Sequence, residues 1–137
     1  MELRRAVVEG IRIQMISGTH VLLLRDAEEA RYLPIPIGPN EASAIAYHLQ
    51  GITPERPLTH DTALQTIRAL GASLREVRIT EVREETFRAQ MLLVAPSGEE
   101  ATLDARPSDA VALALRADAP ILISAELLST EGIVPEA

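Results

Sequence analysis

The segment Asp104-Ala105-Arg106-Pro107-Ser108-Asp109-Ala110, continued by the apolar run Val111–Leu115, constrains the fold of this chain more than any other stretch. A short strand turns there directly into a helix. Pro suits the first helical position, whose N–H has no partner in any case, and a first-turn carboxylate suits the positive helix end. The helix itself is almost wholly apolar, so it must be enclosed on most sides. Two Asp and an Arg set against such a helix need partners or water. A second polar corner, Arg56-Pro57-Leu58-Thr59-His60-Asp61, opens another helix. A functional site is expected at these two corners.

Strands supply most of what remains. Val7–Met15 alternates, with Ile11, Ile13 and Met15 on one face, and after Ser17-Gly18 the run His20–Leu24 returns as an antiparallel partner. Leu33-Pro34-Ile35-Pro36-Ile37 alternates too, but its prolines withhold two backbone donors and place it at a sheet edge. Gly38-Pro39-Asn40-Glu41 starts a helix that turns Ala42, Ile45, Ala46 and Leu49 inward and closes at Gly51. Thr59 is the expected N-cap of a second helix, with Leu64, Ile67 and Leu70 inward and Gly71 at its end. Leu74–Val82 and Thr86–Val94 predict a hairpin across Arg83-Glu84-Glu85, with Phe87, Ala89, Met91 and Leu93 pointing one way. A short strand at 101–103, a third helix from Pro107 and a last strand at 121–123 complete the order.

Strands that follow strands predict an α+β domain, a mixed, largely antiparallel sheet packed with about three helices. The expectation is a single domain over 1–137, with its core at roughly 5–128 and a short C-terminal tail. The long apolar hairpin and the proline-bearing edge suit cover by another subunit, so a homo-oligomer is expected.

Composition narrows the function. Hydrophobic residues make up 47% of the chain but aromatics only 2%, so the core is aliphatic and stacking platforms for bases are scarce. The absence of cysteine removes disulfides, thiolate nucleophiles and cysteine-based metal centres. A net charge of -7 opposes non-specific attraction to a polyanion, which depends on neutralising phosphates. All 13 basic residues are Arg, and action on nucleic acid requires that several converge on one groove. Charged residues directly after Met1, and no apolar run long enough to span a bilayer, lead to the reading of a cytoplasmic protein with no membrane partner. A P-loop, a dinucleotide-binding glycine pattern, an HExxH helix and a nucleophile elbow are all missing.

Taken in order, Leu33-Pro34-Ile35-Pro36-Ile37-Gly38-Pro39-Asn40-Glu41-Ala42, Arg56-Pro57-Leu58-Thr59-His60-Asp61 and Ala105-Arg106-Pro107-Ser108-Asp109-Ala110-Val111-Ala112-Leu113-Ala114 resemble the bifunctional nuclease domain family. The likeness runs over nearly the whole chain, from Arg5 to Leu128. It implies a compact, commonly self-associating α+β domain with DNA and RNA as substrates. It brings no assigned catalytic set, so residue roles are read from chemistry.

Hydrolysis of a phosphodiester needs an activated water, a contact to the phosphate and an offset for developing negative charge. Asp104, Asp109 and His60 are the candidate catalytic groups, His60 as general acid/base. Asp104 and Asp109 are also candidate oxygen ligands for Mg²⁺ or Mn²⁺. Arg106, Arg56 and Ser108 are the candidate phosphate contacts. Each has a structural alternative, for His60 an exposed place in the first turn of a helix capped by Thr59 and charge-matched by Asp61. Ser108 and Asp109 suit helix capping, Arg106 can pair with Asp104, and Arg56 with Glu55, Glu41 or an Asp. Adjacent helical residues diverge, so His60 and Asp61 are not expected to bond each other. Glu41 suits the helix dipole, His48 the surface and His20 the sheet. The leading reading is a metal-assisted nuclease of low sequence specificity. The alternatives are a non-enzymatic oligomeric module that binds a protein or small anion in a regulatory role, and a small-molecule hydrolase.

Overall fold

Seven strands form one sheet in the computed structural model, which describes residues 1–135. In chain order the elements are β1 (Leu3–Ile13), β2 (His20–Asp26), β3 (Tyr32–Ile37), α1 (Pro39–Leu49), α2 (Thr59–Ala69), β4 (Ser73–Arg83), β5 (Thr86–Val94), β6 (Glu100–Ala105), α3 (Pro107–Ala117), β7 (Ile121–Ser124) and α4 (Ala125–Glu131). The strand order is β3-β2-β1-β7-β4-β5-β6. Only β4 and β7 are parallel; every other neighbouring pair is antiparallel. Two three-stranded meanders are thus joined through the four-residue β7, which pairs with Leu3–Ala6 on one side and Val77–Ile79 on the other. The α+β expectation holds, with β3 at a sheet edge as its prolines require.

The core is aliphatic. Leu22, Leu24, Leu33, Ile45, Ile79 and Ile123 are fully enclosed, and each contributes about 1.5–3 kcal/mol of burial. Helix α3 lies at the centre of the helical layer, packed on β4 and β5 and flanked by α1 and α2. Its Ala110, Val111, Ala112 and Ala114 are inaccessible to solvent. Small side chains on several faces let two helices and a sheet approach together, which is why this run tolerates no charge. The buried Asp26, only 2% exposed, is satisfied by Arg4 Nε at 3.0 Å and the Glu28 N–H at 2.8 Å.

Four expectations are corrected. β1 stops at Ile13, because Gln14 and Thr19 close a turn across Gly18, and Met15 is left exposed rather than on a strand face. Leu49 and Leu70 do not point inward; each lies at the very end of its helix, past the last residue that meets the core. The cap of α2 is Leu58, with extended backbone, and Thr59 is the first helical residue. A fourth helix, α4, follows β7 without a loop, its first turn capped by Ser124 Oγ on the Leu127 N–H. Seven residues are too few for a helical period to stand out in the sequence.

Candidate functional site

Helices α1, α2 and α3 start around one cavity of about 670 Å³. Asn40 and Glu41 reach it from α1, Thr59 and His60 from α2, and Arg106 and Asp109 from the start of α3. A common local rule builds this arrangement. Counting from the caps Gly38, Leu58 and Arg106, the third helical residue is Glu41, Asp61 and Asp109 in turn. A carboxylate at that place meets the unpaired N–H groups and positive dipole of a helix start. In α2 the bond is explicit, for Asp61 Oδ2 accepts from the Leu58 N–H at 2.9 Å.

Two arginines cross-link these carboxylates. Arg106 Nη1 donates to Glu41 Oε1 at 2.9 Å and its Nε to Asp109 Oδ2 at 2.9 Å. Asp109 Oδ1 lies 2.8 Å from His60 Nε2. Glu41, Arg106, Asp109 and His60 therefore form one continuous polar chain along the cavity wall. On the inner side, Arg116, only 8% exposed, donates to Asp61 Oδ1 at 2.7 Å, to the Ala112 carbonyl at 3.0 Å and to the Ala44 carbonyl at 3.0 Å. That one guanidinium touches all three helices. Gly38 belongs to the same construction, since a Cβ there would come within 2.5 Å of the Glu41 carboxylate that Arg106 holds.

Charge states follow from the partners. Burial pushes the Asp109 carboxyl up, but its bonds to Arg106 and His60 outweigh that and hold it below the ordinary value. Burial likewise raises Asp61, and the Leu58 N–H and Arg116 more than reverse it. Glu41 is lowered by its own backbone N–H and by Arg106. Arg106 is raised further by Asp109 and Glu41. An ionised Asp109 can only accept, so His60 Nε2 carries the proton and donates it. Neutral His60 then has its lone pair on Nδ1, which has no hydrogen-bond partner among the described residues.

The structure brings three of the sequence candidates together, His60, Arg106 and Asp109, and leaves three apart. Asp104 stands exposed on the edge strand β6, opposite Gln90, and does not line the cavity. Its expected pairing with Arg106 is replaced by the Glu41 and Asp109 bonds. Arg56 is exposed in the loop before α2, outside the cavity, with no ion pair among the described residues. Ser108 is buried and lines a separate cavity of about 210 Å³ that shares only Arg106 with the first. The convergence of several Arg on one groove is not found: Arg106 alone lines the main cavity. Asp104 and Asp109 thus do not share a cavity to hold a divalent ion. Among the described residues no three His, Asp or Glu side chains gather at metal-binding spacing.

Sequence reading gave Glu41 a dipole role or a pairing with Arg56, not the Arg106 bond it makes, and passed over Arg116 and Tyr47. The recurring Pro-Asn-Glu, Thr-His-Asp and Pro-Ser-Asp helix starts were the available signal for Glu41. No described helix is long and apolar enough to cross a membrane.

Comparison with known proteins gives the family. The bifunctional nuclease domain family matches residues 22–136. An uncharacterized protein of Mycobacterium tuberculosis is 46% identical over 127 residues, which is 93% of this chain and 75% of that protein. Bifunctional nuclease 1 of Oryza sativa subsp. japonica is 28% identical over 152 residues, 94% of this chain but 46% of the rice protein. Bifunctional nuclease 1 of Arabidopsis thaliana is 31% identical over 80 residues, 57% of this chain and 25% of that protein. With the family profile spanning most of the described fold, and all three helix starts that line the cavity inside it, the chain belongs to the bifunctional nuclease domain family.

Proposed function

We propose that this protein is a nuclease of low sequence specificity that hydrolyses phosphodiester bonds of both DNA and RNA at the His60–Asp109–Arg106 cavity. The 2.8 Å His60–Asp109 bond, beside a cationic side chain that is 65% exposed, carries this reading. The names of the plant relatives support it.

DNA has no 2′-hydroxyl, so a mechanism common to both polymers takes its nucleophile from outside the substrate, here water. His60 Nδ1 accepts a proton from that water while the oxygen bonds to phosphorus and the phosphorus–oxygen bond to the leaving group breaks. The proton held on His60, or one from solvent, then completes the leaving hydroxyl. Asp109 fixes the imidazole through Nε2 and offsets the imidazolium as it forms. Arg106 Nη2, with no partner among the described residues, meets the phosphate oxygens. The carboxylates here are engaged by Arg106, Arg116 and His60 and so do not fit Mg²⁺ or Mn²⁺.

The test is cleavage of plasmid DNA and of RNA by purified protein, with and without Mg²⁺, Mn²⁺ and EDTA, against His60→Ala and Arg106→Ala. Equal rates in all three proteins would remove the activity from this cavity. The lone Arg in a cavity of small-ligand size favours a second reading, a binding module for a small anionic ligand. In that case the same variants change ligand affinity and no polymer is cut.

A further inference from the structure

We infer that the cavity accepts one nucleotide of a single strand, with its phosphate at Arg106 and its base against Tyr47. The inference rests on the phosphodiester reading for its phosphate end only.

Charge alone cannot supply the grip. Eight of the 13 Arg, namely Arg4, Arg25, Arg75, Arg78, Arg83, Arg88, Arg106 and Arg116, already hold carboxylates, and only Arg106 lines the cavity. A strand held through so few phosphate contacts binds weakly unless the site also grips something uncharged.

Tyr47 offers that grip. It is the one aromatic side chain at the cavity and is 39% exposed, while Tyr32 and Phe87 belong to strands elsewhere. Along α1, Asn40, Ser43, Ala44 and Tyr47 recur at helical spacing and line the same cavity. From Glu41, which holds Arg106, to Tyr47 is about 9 Å along the helix axis, comparable to the reach from a nucleotide's phosphate to its base. Ala63 of α2 and Leu113 of α3 add an aliphatic surface to the wall that suits a flat ring. A cavity of about 670 Å³ has the size of a small-ligand pocket, not of a duplex groove. A base paired in a duplex would have to leave its stack to enter, so single strands and frayed ends are the favoured substrates. One Tyr makes one slot, consistent with a chain otherwise so poor in aromatics.

The test begins with binding. The full chain is titrated calorimetrically with adenosine 5′-monophosphate and with ribose 5-phosphate at low salt. The monophosphate is expected to bind about tenfold tighter, the scale of one base–aromatic contact. Tyr47→Ala should erase that difference and Tyr47→Phe keep it, with thermal melts showing both variants folded. A single-stranded oligonucleotide should be cut about tenfold faster than the same sequence in a blunt duplex. Equal affinity for the two ligands, or a Tyr47→Ala variant that binds the monophosphate as before, would overturn the slot. Equal cutting of strand and duplex would overturn the single-strand preference. Base-dependent binding without cleavage of any polymer leaves the slot standing and removes the nuclease reading. Cleavage without base-dependent binding does the reverse.

Discussion

His60 Nε2 and Asp109 Oδ1 lie 2.8 Å apart although 49 positions separate them in the chain. The bond joins the first turn of α2 to the first turn of α3, so the two polar corners of the sequence become one wall of one cavity. With Asp109 ionised and accepting, the imidazole has a fixed tautomer, and its Nδ1 has no partner among the described residues.

Removing that base is expected to slow cleavage of a single-stranded RNA at saturating substrate by about 10²–10⁴-fold in His60→Ala. Asp109→Asn retains the ring but loses its orientation, and about a 10–100-fold loss is expected. Rates at saturation, taken beside melting curves of both variants, check this. Wild-type rates in both would move the chemistry elsewhere.

Arg116 is a structural tie, not a reacting group. Its truncation to Ala leaves Asp61 and two backbone carbonyls without their donor at once, and should cost about 3 kcal/mol of stability. A fall of roughly 10 °C in Tm is expected. Arg116→Lys should recover only part of it, because an ammonium cannot spread three donors over three helices. Denaturant midpoints for the three proteins measure the difference, and a fall under about 2 °C in Arg116→Ala would exclude this role.

Stability should respond to acid in a defined direction. Asp61, Asp109 and Glu41 are held below their ordinary values, 3.8 for Asp and 4.5 for Glu. Groups lowered in the folded state contribute fully above those ordinary values, and the contribution is lost as pH falls through the lowered ones. The melting temperature should thus stay level with respect to these groups above about pH 5 and drop below about pH 4. Asp61→Asn should be less stable at neutral pH and show a shallower acid decline. Parallel acid slopes for the two proteins would contradict the assignment.

Because Arg106 is the one cation at the cavity, binding to a single strand should depend weakly on salt. A slope of log K against log salt of about -0.7 to -1.4 is expected, the value for one or two phosphates. Fluorescence anisotropy with a labelled oligonucleotide over a salt series reads it directly. A slope several times steeper would require a basic track away from the cavity.

The β4–β5 turn is strained in a correctable way. Glu84 and Glu85 both take positive φ, 50° and 66°, the geometry of a two-residue hairpin turn that favours Asn-Gly. Replacing the pair with Asn-Gly should stabilise the protein by about 1–2 kcal/mol and raise Tm by several degrees. No change in Tm would show that the flanking strands already absorb the strain.

Much of this was legible in the residues themselves, because local chemistry decides local structure. Pro107 and Asp109 start α3 wherever the chain puts it, and Pro34 and Pro36 keep β3 at an edge in any sheet. The alternation of Phe87, Ala89 and Met91 fixes which side of β5 is buried. The two polar corners stood out because charged groups beside apolar runs need partners.

Partners are where one dimension ran out. Whether Arg106 meets Asp104, two residues away on the strand, or Glu41, 65 residues away, depends on how α1 packs against α3. Arg56 and Asp104 have the right chemistry for a phosphate or metal site, yet a loop and an edge strand carry them out of the cavity. The position of β7 could not be read either, since four residues pair with β1 and β4 only after both meanders exist. By itself the sequence determined all the strands and three of the four helices, most of their buried faces and the kinds of groups a site could use, all set by neighbours within a few residues. Tertiary structure alone decided which of those groups share a cavity, because packing three helix starts together is a long-range outcome that no local period encodes.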